Sequence, residues 1–188
     1  LSEEIFVYME HNKKSKSSEV IKIFNLDNAK SIKIKAHENK IKYLALNNKS
    51  TQLATSSEKG TIIRIFNTHN GEKLCEFRRG MNSSNIQDIV FSQDSNYLAV
   101  LSDRGTIHIY NLINLSVNRK SILSLLGGYF DSEWSFAWYY DDLVDQIRKC
   151  CFDSNNDLLI ITEKSLCQKI SFDKEQGGLC NLIDKWQQ

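Results

Sequence analysis

Two adjacent arginines, Arg78 and Arg79, lie at the end of a predicted strand, directly before Gly80. Neighbouring side chains of a strand point to opposite sides of the sheet, so the two guanidinium groups can face two different pockets. Each guanidinium offers a planar set of donors that matches phosphate oxygens in bidentate fashion, which a lysine cannot do. The pair is therefore predicted to clamp phosphate groups.

Thr106 and His108 form a second polar pair further along the chain. By two-residue alternation they fall on one face of a predicted strand, while Ile107 and Ile109 fall on the other. A hydroxyl and an imidazole on one face can flank one phosphate.

The candidate residues also have ordinary structural interpretations. A lone histidine on a strand, such as His37 or His108, is usually a hydrogen-bonded residue without a special function. Arg64 could pair with Glu58 or Glu72. Serines and threonines at strand ends commonly form turns. Taken singly, only the paired arginines favour a functional role.

The composition limits the class of protein. With 188 residues, of which 41% are hydrophobic and 25% charged, the chain is expected to form a soluble globular domain. A formal net charge of +1 argues against general nucleic-acid binding, so anion binding is expected to be local. No apolar run is long enough to cross a bilayer, so membrane contact is expected to be peripheral.

Five cysteines and four histidines are scattered along the chain. The cysteines lack Cys-x-x-Cys spacing and lie among apolar residues, which favours reduced core cysteines of a cytosolic protein. The histidines do not combine with them into a zinc set. We expect neither a metal nor a cofactor.

A recurring strand indicates which elements position these residues. It reads Ile23-Phe24-Asn25, Ile65-Phe66-Asn67, Ile109-Tyr110-Asn111 and, more loosely, Ile170-Ser171-Phe172. The aromatic positions are separated by 42, 44 and 62 residues. The first two intervals match the roughly 40–45 residues of a four-stranded propeller blade, so the third must contain an insertion.

The insertion lies between the third and fourth strands of one repeat. An apolar strand opens each repeat 19 or 20 residues before the recurring strand, so all the extra length falls between Tyr110 and Phe152. By comparison with the preceding repeat, the outer strand is predicted at 134–138 and the insertion at about 113–133. Loops of this length are usually functional or disordered.

These patterns predict an all-β fold made of WD40-like β-propeller blades. The chain supplies about three and a half blades, fewer than the roughly 4–8 that close a ring. We therefore expect either a piece of a larger propeller or a half that associates with another copy, because open sheet edges favour pairing.

Several motifs carry a family resemblance: Ala36-His37-Glu38, Leu53 to Phe66, Phe77-Arg78-Arg79-Gly80, Val90-Phe91-Ser92, Thr106 to Tyr110 and Gln176-Gly177-Gly178. They extend over nearly the whole chain, which on these residues resembles the PROPPIN family, the WIPI-type autophagy β-propellers that bind phosphoinositides. The resemblance implies a seven-bladed ring. It places part of blade 4 at 1–36, blade 5 at 37–80, blade 6 with its inserted loop at 81–140 and blade 7 at 141–188.

The resemblance also implies two headgroup sites. The first would consist of His37, Ser57, Thr61, Arg64 and Arg78, with Thr55 as a weaker candidate. The second would consist of Arg79, Gly80, Ser102, Thr106 and His108.

In the family, the loop that corresponds to the insertion enters the bilayer. Its large apolar residues here are Ile122, Leu123, Leu125, Leu126, Tyr129 and Phe130. They follow Arg119-Lys120, which anionic lipids would attract. The alternative, that these side chains fold back over the blade as a plug, stays open.

The implied function is a phosphoinositide-binding peripheral membrane effector in autophagy or endosomal traffic. Its ligands would be phosphatidylinositol 3-phosphate, phosphatidylinositol 3,5-bisphosphate or both, on autophagosomal, endosomal or vacuolar membranes reached from the cytoplasm. Autophagy proteins are possible partners through the absent blades.

Two other classes of protein are considered. A WD40-type protein–protein interaction scaffold without lipid binding is the main alternative, with Arg78 and Arg79 holding acidic peptides. An enzyme is disfavoured, because the acidic residues Asp141, Asp142 and Asp145 lack a nearby nucleophile, metal set or glycine-rich phosphate loop.

Overall fold

The computed structural model describes residues 4–10, 20–118, 134–140, 147–162 and 166–187. Within these ranges the regular structure is sixteen strands and one 3₁₀ turn at Leu115–Val117. The strands are β1 Ile5–Glu10, β2 Val20–Asn25, β3 Ser31–Ile34, β4 Ile41–Leu46, β5 Gln52–Ser57, β6 Ile62–Asn67, β7 Lys73–Arg78, β8 Ile86–Phe91, β9 Tyr97–Ser102, β10 Thr106–Asn111, β11 Ala137–Tyr140, β12 Ile147–Phe152, β13 Leu158–Thr162, β14 Leu166–Ser171, β15 Gly178–Leu179 and β16 Asn181–Gln187.

The strands form four sheets, which confirms the predicted all-β class. Their orders are β1-β2-β3, β4-β5-β6-β7, β8-β9-β10-β11 with β15 added beside β11, and β12-β13-β14-β16. The recurring strand of the sequence corresponds to β2, β6, β10 and β14, and it is the third strand of each sheet that has at least four. No helix in the described ranges has the length and hydropathy needed to span a membrane.

The core lies between successive sheets because strand side chains alternate between two faces. On β9, Leu98 and Val100 pack into the core shared with the second sheet, whereas Ala99 and Leu101 pack into the core shared with the fourth. The ring of Phe77 stacks on that of Tyr110 in the adjacent sheet, with the centroids 4.5 Å apart. Each sheet is therefore held by its neighbours.

The outer strand of the third sheet differs from its prediction. It was expected at 134–138 but runs from Ala137 to Tyr140. The residues before it make other contacts: the Ser135 side chain meets His108, and the Phe136 carbonyl accepts a hydrogen bond from Gly178 N. The predicted membrane-inserting residues Ile122, Leu123, Leu125, Leu126, Tyr129 and Phe130 lie outside the described residues.

A short strand, β15, crosses from the fourth repeat to the sheet before it and pairs in parallel with β11. Gly178 N donates to Phe136 O (3.0 Å), and Cys180 N donates to Trp138 O (2.8 Å). Gly177 makes the turn into β15 with φ of +69°, and a Cβ there would lie 2.2 Å from Phe136 O. Only glycine fits this approach.

The innermost strands of three sheets meet at the buried carboxylate of Asp88 on β8. It accepts hydrogen bonds from Tyr43 Oη on β4, from Lys149 Nζ on β12 (3.1 Å) and from Cys150 N (3.2 Å). These donors satisfy a buried charge that would otherwise be costly.

Candidate functional site

An open groove of about 460 Å³ lies where β5 ends and β6 begins. Four of the five residues predicted for the first site line it, namely His37, Ser57, Thr61 and Arg64. Its other lining residues are Glu38, Asn39, Lys59, Ile62, Met81 and Ser83. The groove therefore gathers hydroxyl, imidazole and cationic groups from residues far apart in the sequence.

His37 lies at the inner wall of this groove. One of its ring nitrogens, Nε2, is 2.9 Å from Thr55 Oγ1, and burial together with the nearby charge of Arg64 lowers its pKa to about 4. The imidazole is thus neutral near pH 7. Thr55, the weaker candidate, is fully buried behind His37 and supports the ring.

Arg64 is held on two sides. Its Nε donates to Glu76 Oε2 (2.7 Å), and its Nη1 donates to the Ala36 carbonyl (2.6 Å). The expectation that it could pair with Glu58 or Glu72 is wrong, because the register of β6 and β7 places Glu76 directly opposite Arg64. The ion pair fixes the guanidinium at the edge of the groove.

The two adjacent arginines lie deeper than the sequence predicted. Arg78 is 3% exposed and Arg79 is 6% exposed. Arg79 donates from Nε to Gly60 O (2.9 Å) and from Nη2 to Asn82 O. The loop after Gly80 folds back over the turn at 58–60, where Ser84 N donates to Lys59 O (3.0 Å), and Arg79 is held between this loop and the turn.

The second predicted set lies around the start of β10. Ser102 is fully buried, and its Oγ donates to Thr106 O (3.4 Å). Burial and the charge of Arg79 lower the pKa of His108 to about 4, so this ring is also neutral near pH 7. Beside Gly80 there is open space, since a Cβ added there would meet nothing within 4 Å.

The predicted alternation on β10 is confirmed. Ile107 and Ile109 are fully buried, whereas Thr106 and His108 are only partly covered on the opposite face. His108 Nδ1 is 3.1 Å from Ser135 Oγ. Ser135 was missed as a site residue because it follows the insertion, where spacing gave no information about neighbours.

Burial raises the pKa of Tyr110, of Cys150 and of Cys180, the last to about 12, so these groups are protonated structural residues. In the parts of the chain that the structure describes, no three His, Cys, Asp or Glu side chains are grouped in a way that could hold a metal ion.

The fold and the groove define a class of protein: a β-propeller segment with polar sites on two adjacent sheets. The sequence profile of the PROPPIN family matches residues 5–183, so the chain belongs to the PROPPIN family. Membership in this family agrees with the all-β propeller architecture of the four sheets.

Two relatives from Kluyveromyces lactis illustrate the similarity. SVP1-like protein 2 is 42% identical over 110 residues, which cover 57% of this chain and 32% of that protein. Autophagy-related protein 18 is 45% identical over 111 residues, which cover 58% of this chain and 22% of that protein. The chain therefore matches less than half the length of these relatives.

Solved structures show the same fold. Hsv2 from Kluyveromyces lactis superposes with a TM-score of 0.77 at 28% identity, covering 100% of this chain and 60% of that one. KlAtg21 in its complex with the coiled-coil of AgAtg16 gives a TM-score of 0.75 at 24% identity, covering 97% of this chain and 54% of that one. The second likeness shows the fold alone.

Proposed function

We propose that this protein binds the headgroups of phosphatidylinositol 3-phosphate, phosphatidylinositol 3,5-bisphosphate or both through two sites on adjacent sheets. It thereby acts as a membrane-recruited scaffold in autophagy or endosomal traffic. The observation that carries the proposal is the convergence of His37, Ser57, Thr61 and Arg64 on one open groove.

The groove has the chemistry for a phosphorylated inositol. Ser57 and Thr61 supply hydroxyls, and Lys59 and Arg64 supply positive charge. A volume of about 460 Å³ lies in the usual range for small-molecule sites. A phosphate oxygen accepts hydrogen bonds from all these donors, and charged donors make the stronger bonds.

Arg78 contributes to this proposal through the positive charge of its guanidinium. Because its guanidinium is buried, its charge is less screened by water than that of an exposed lysine, and it favours an anion nearby. The second site uses the charge of Arg79 in the same way, with Thr106 and His108 as neutral hydrogen-bonding groups, Ser102 as support and Gly80 leaving room for the ligand.

Two sites on one rigid body increase affinity for a surface that carries many copies of the ligand. Once the first headgroup is bound, the second binding event is effectively intramolecular. In this proposal the inserted loop also enters the bilayer, through its apolar residues from Ile122 to Phe130. In the same proposal, the four sheets are parts of blades 4 to 7 of a seven-bladed ring.

A protein-binding role is the second candidate. The solved structure of KlAtg21 contains a coiled-coil of AgAtg16, which shows a protein partner for that propeller. We propose that autophagy proteins bind this protein in addition to lipid. The alternative is a scaffold whose groove binds acidic peptides instead of headgroups. Flotation with liposomes distinguishes the two.

The test is flotation with liposomes that contain phosphatidylinositol 3-phosphate. The double variant Arg78→Thr/Arg79→Thr is expected to lose flotation, and Thr61→Ala, which alters only the groove, is expected to weaken it. Ser154→Ala, at an exposed hydroxyl in the turn between β12 and β13, serves as the matched control. Circular dichroism checks that the double variant folds, since both arginines are buried. Unchanged flotation of folded Arg78→Thr/Arg79→Thr and of Thr61→Ala would refute lipid recognition at these sites.

A further inference from the structure

Two large apolar side chains are exposed beside the candidate sites. Met81 is 72% exposed and Tyr140 is 58% exposed. Met81 directly follows Gly80 of the second set and also lines the groove of the first set. Tyr140 lies opposite Thr106 in the register of β10 and β11. Both therefore lie at the same end of their sheets as the proposed headgroup sites.

Exposed cations accompany these apolar groups. Lys59 is exposed at the groove, and Arg104 is exposed in the turn that precedes Thr106. Arg104 Nη2 reaches the Ser83 carbonyl in the loop that carries Met81 (3.4 Å). The acidic neighbour Asp103 is occupied by hydrogen bonds from Ser84 Oγ and Asn85 N. This surface therefore places two apolar side chains near Lys59 and Arg104, and the exposed carboxylates Glu38 and Glu58 lie beside Lys59.

We propose that Met81 and Tyr140, together called the Met81–Tyr140 rim, contact the interfacial region of a lipid bilayer while the two sites hold headgroups. The inference rests on the proposed function and adds a contact that is independent of the inserted loop. Tyrosine suits the membrane interface because its ring is apolar and its hydroxyl is wet. Lysine and arginine beside it are attracted to anionic lipids.

The choice of a bilayer over a protein partner follows from charge and shape. Met81 follows β7 of the second sheet and Tyr140 ends β11 of the third, so the two apolar side chains belong to different sheets, each beside polar site residues. Cations placed around single apolar tips are complementary to a negatively charged lipid surface. The side chains of Met81 and Tyr140 can each enter the interfacial region of the bilayer while the headgroup sites stay occupied.

Leu26 provides a matched control elsewhere on the molecule. It is 53% exposed and follows the end of β2, the strand that corresponds to β6 and β10 in the repeat. The candidate site residues lie on or beside the strands of the second and third sheets, whereas Leu26 belongs to the first sheet. Loss of this apolar group is expected to leave membrane binding unchanged.

The experiment compares two probes on the 188-residue chain: soluble inositol 1,3-bisphosphate by calorimetry, and phosphatidylcholine vesicles containing phosphatidylinositol 3-phosphate by flotation and titration. The variants are Met81→Ser, Tyr140→Ser, the double variant and Leu26→Ser. We expect the double variant to bind vesicles about tenfold more weakly, a loss of ~1.4 kcal/mol, with a smaller change in affinity for the soluble probe. Leu26→Ser is expected to match the wild type with both probes.

The outcomes separate this inference from the proposed function. If the wild type binds the soluble probe and the double variant retains wild-type vesicle affinity, the rim does not touch the bilayer. If the affinities for both probes fall by the same factor, Met81 and Tyr140 act on the headgroup alone and the inference is wrong. A wild type that binds neither probe overturns the proposed function itself, and the rim inference with it. Thermal unfolding confirms that the variants fold, as expected for exposed positions.

Discussion

Arg64 on β6 and Glu76 on β7 lie directly opposite each other, and their side chains form an ion pair with Nε and Oε2 2.7 Å apart. Lys73 Nζ also approaches the same carboxylate oxygen, at 3.3 Å. The carboxylate of Glu76 therefore partly neutralises the positive charge of Arg64, which borders the groove. A phosphate that enters the groove competes with Glu76 for the same guanidinium.

Replacing this carboxylate with an amide is expected to strengthen anion binding. Glu76→Gln keeps the shape of the side chain but removes the competing charge, and the interaction of a half-exposed pair is worth up to about 1 kcal/mol. We expect about fivefold tighter binding of soluble inositol 1,3-bisphosphate in calorimetry. Glu72→Gln, on the same hairpin but exposed, is the control and is expected to have no effect. Unchanged or weaker binding by Glu76→Gln would mean that Arg64 does not contact the ligand.

The two buried histidines make stability depend on pH. His37 and His108 each have a pKa of about 4, against an ordinary value of 6.5, because burial and a nearby arginine disfavour the charged ring. Below pH 6.5 the unfolded chain takes up a proton that the folded chain refuses, so stability is complete above this pH and falls towards pH 4. Each histidine is expected to cost about 2 kcal/mol of unfolding free energy between pH 6.5 and about pH 5.

Urea unfolding at a series of pH values measures this effect. His37→Gln is expected to flatten the acid side of the profile, and the exposed His69→Gln is expected to leave it unchanged. A profile that is equally steep in wild type and His37→Gln would show that His37 is protonated in the folded protein.

Ser135 is predicted to position His108 for binding at the second site. The hydroxyl lies 3.1 Å from Nδ1, so a hydrogen bond between them holds the ring in place and contributes to the choice of tautomer. Ser135→Ala is expected to weaken headgroup binding at this site three- to fivefold, since one such hydrogen bond is worth about 1 kcal/mol. The measurement is calorimetry in a Thr61→Ala background, which weakens the first site.

Nitrogen NMR of the histidine rings separates positioning from a general structural effect. In Ser135→Ala, the His108 nitrogens are expected to shift towards a mixture of tautomers while those of His37 stay in place. The control is Ser154→Ala. If the His108 signals do not change, Ser135 has no positioning role.

Gly177→Ala is expected to destabilise the protein by about 2 kcal/mol or more. The left-handed backbone alone costs a residue with a side chain roughly 1–2 kcal/mol. The new Cβ would also lie 2.2 Å from Phe136 O, so β15 must move away from β11. Urea midpoints measure the loss, and Gly80→Ala, which meets open space, is expected to lose less than about 1 kcal/mol. Similar losses for both variants would contradict this account of β15.

Much of the fold could be predicted from the sequence because its main signal is local. The aromatic-Asn ending of the recurring strand predicted β2, β6 and β10, whose last residues are Asn25, Asn67 and Asn111. β15 could not be predicted, because two residues have no measurable periodicity and their partner strand belongs to another repeat. The start of β11 was predicted three residues too early. The residues before Ala137 contact other elements instead of continuing the strand, and spacing along the sequence does not reveal such contacts.

The sequence indicated which residues line the groove of the first site, but not how deeply Arg78 and Arg79 are buried. Four residues that the family resemblance implied for the first set, His37, Ser57, Thr61 and Arg64, line one groove. The burial of Arg79 depends on a loop that closes over a turn in the same sheet, which the linear pattern does not contain. Glu76, by contrast, could have been found: once Ile62 pairs with Arg78, Glu76 must lie opposite Arg64.

The carboxylate of Asp88 joins three innermost strands, since it takes donors from Tyr43 on one side and from Lys149 and Cys150 on the other. If one of these sheets moves away from the others, the carboxylate of Asp88 loses hydrogen-bond donors and its buried negative charge is left unpaired. We therefore expect the three sheets to open as one cooperative unit, so that backbone amides of neighbouring repeats exchange with solvent together. A ligand held at the second and third sheets would slow that exchange as far away as the fourth.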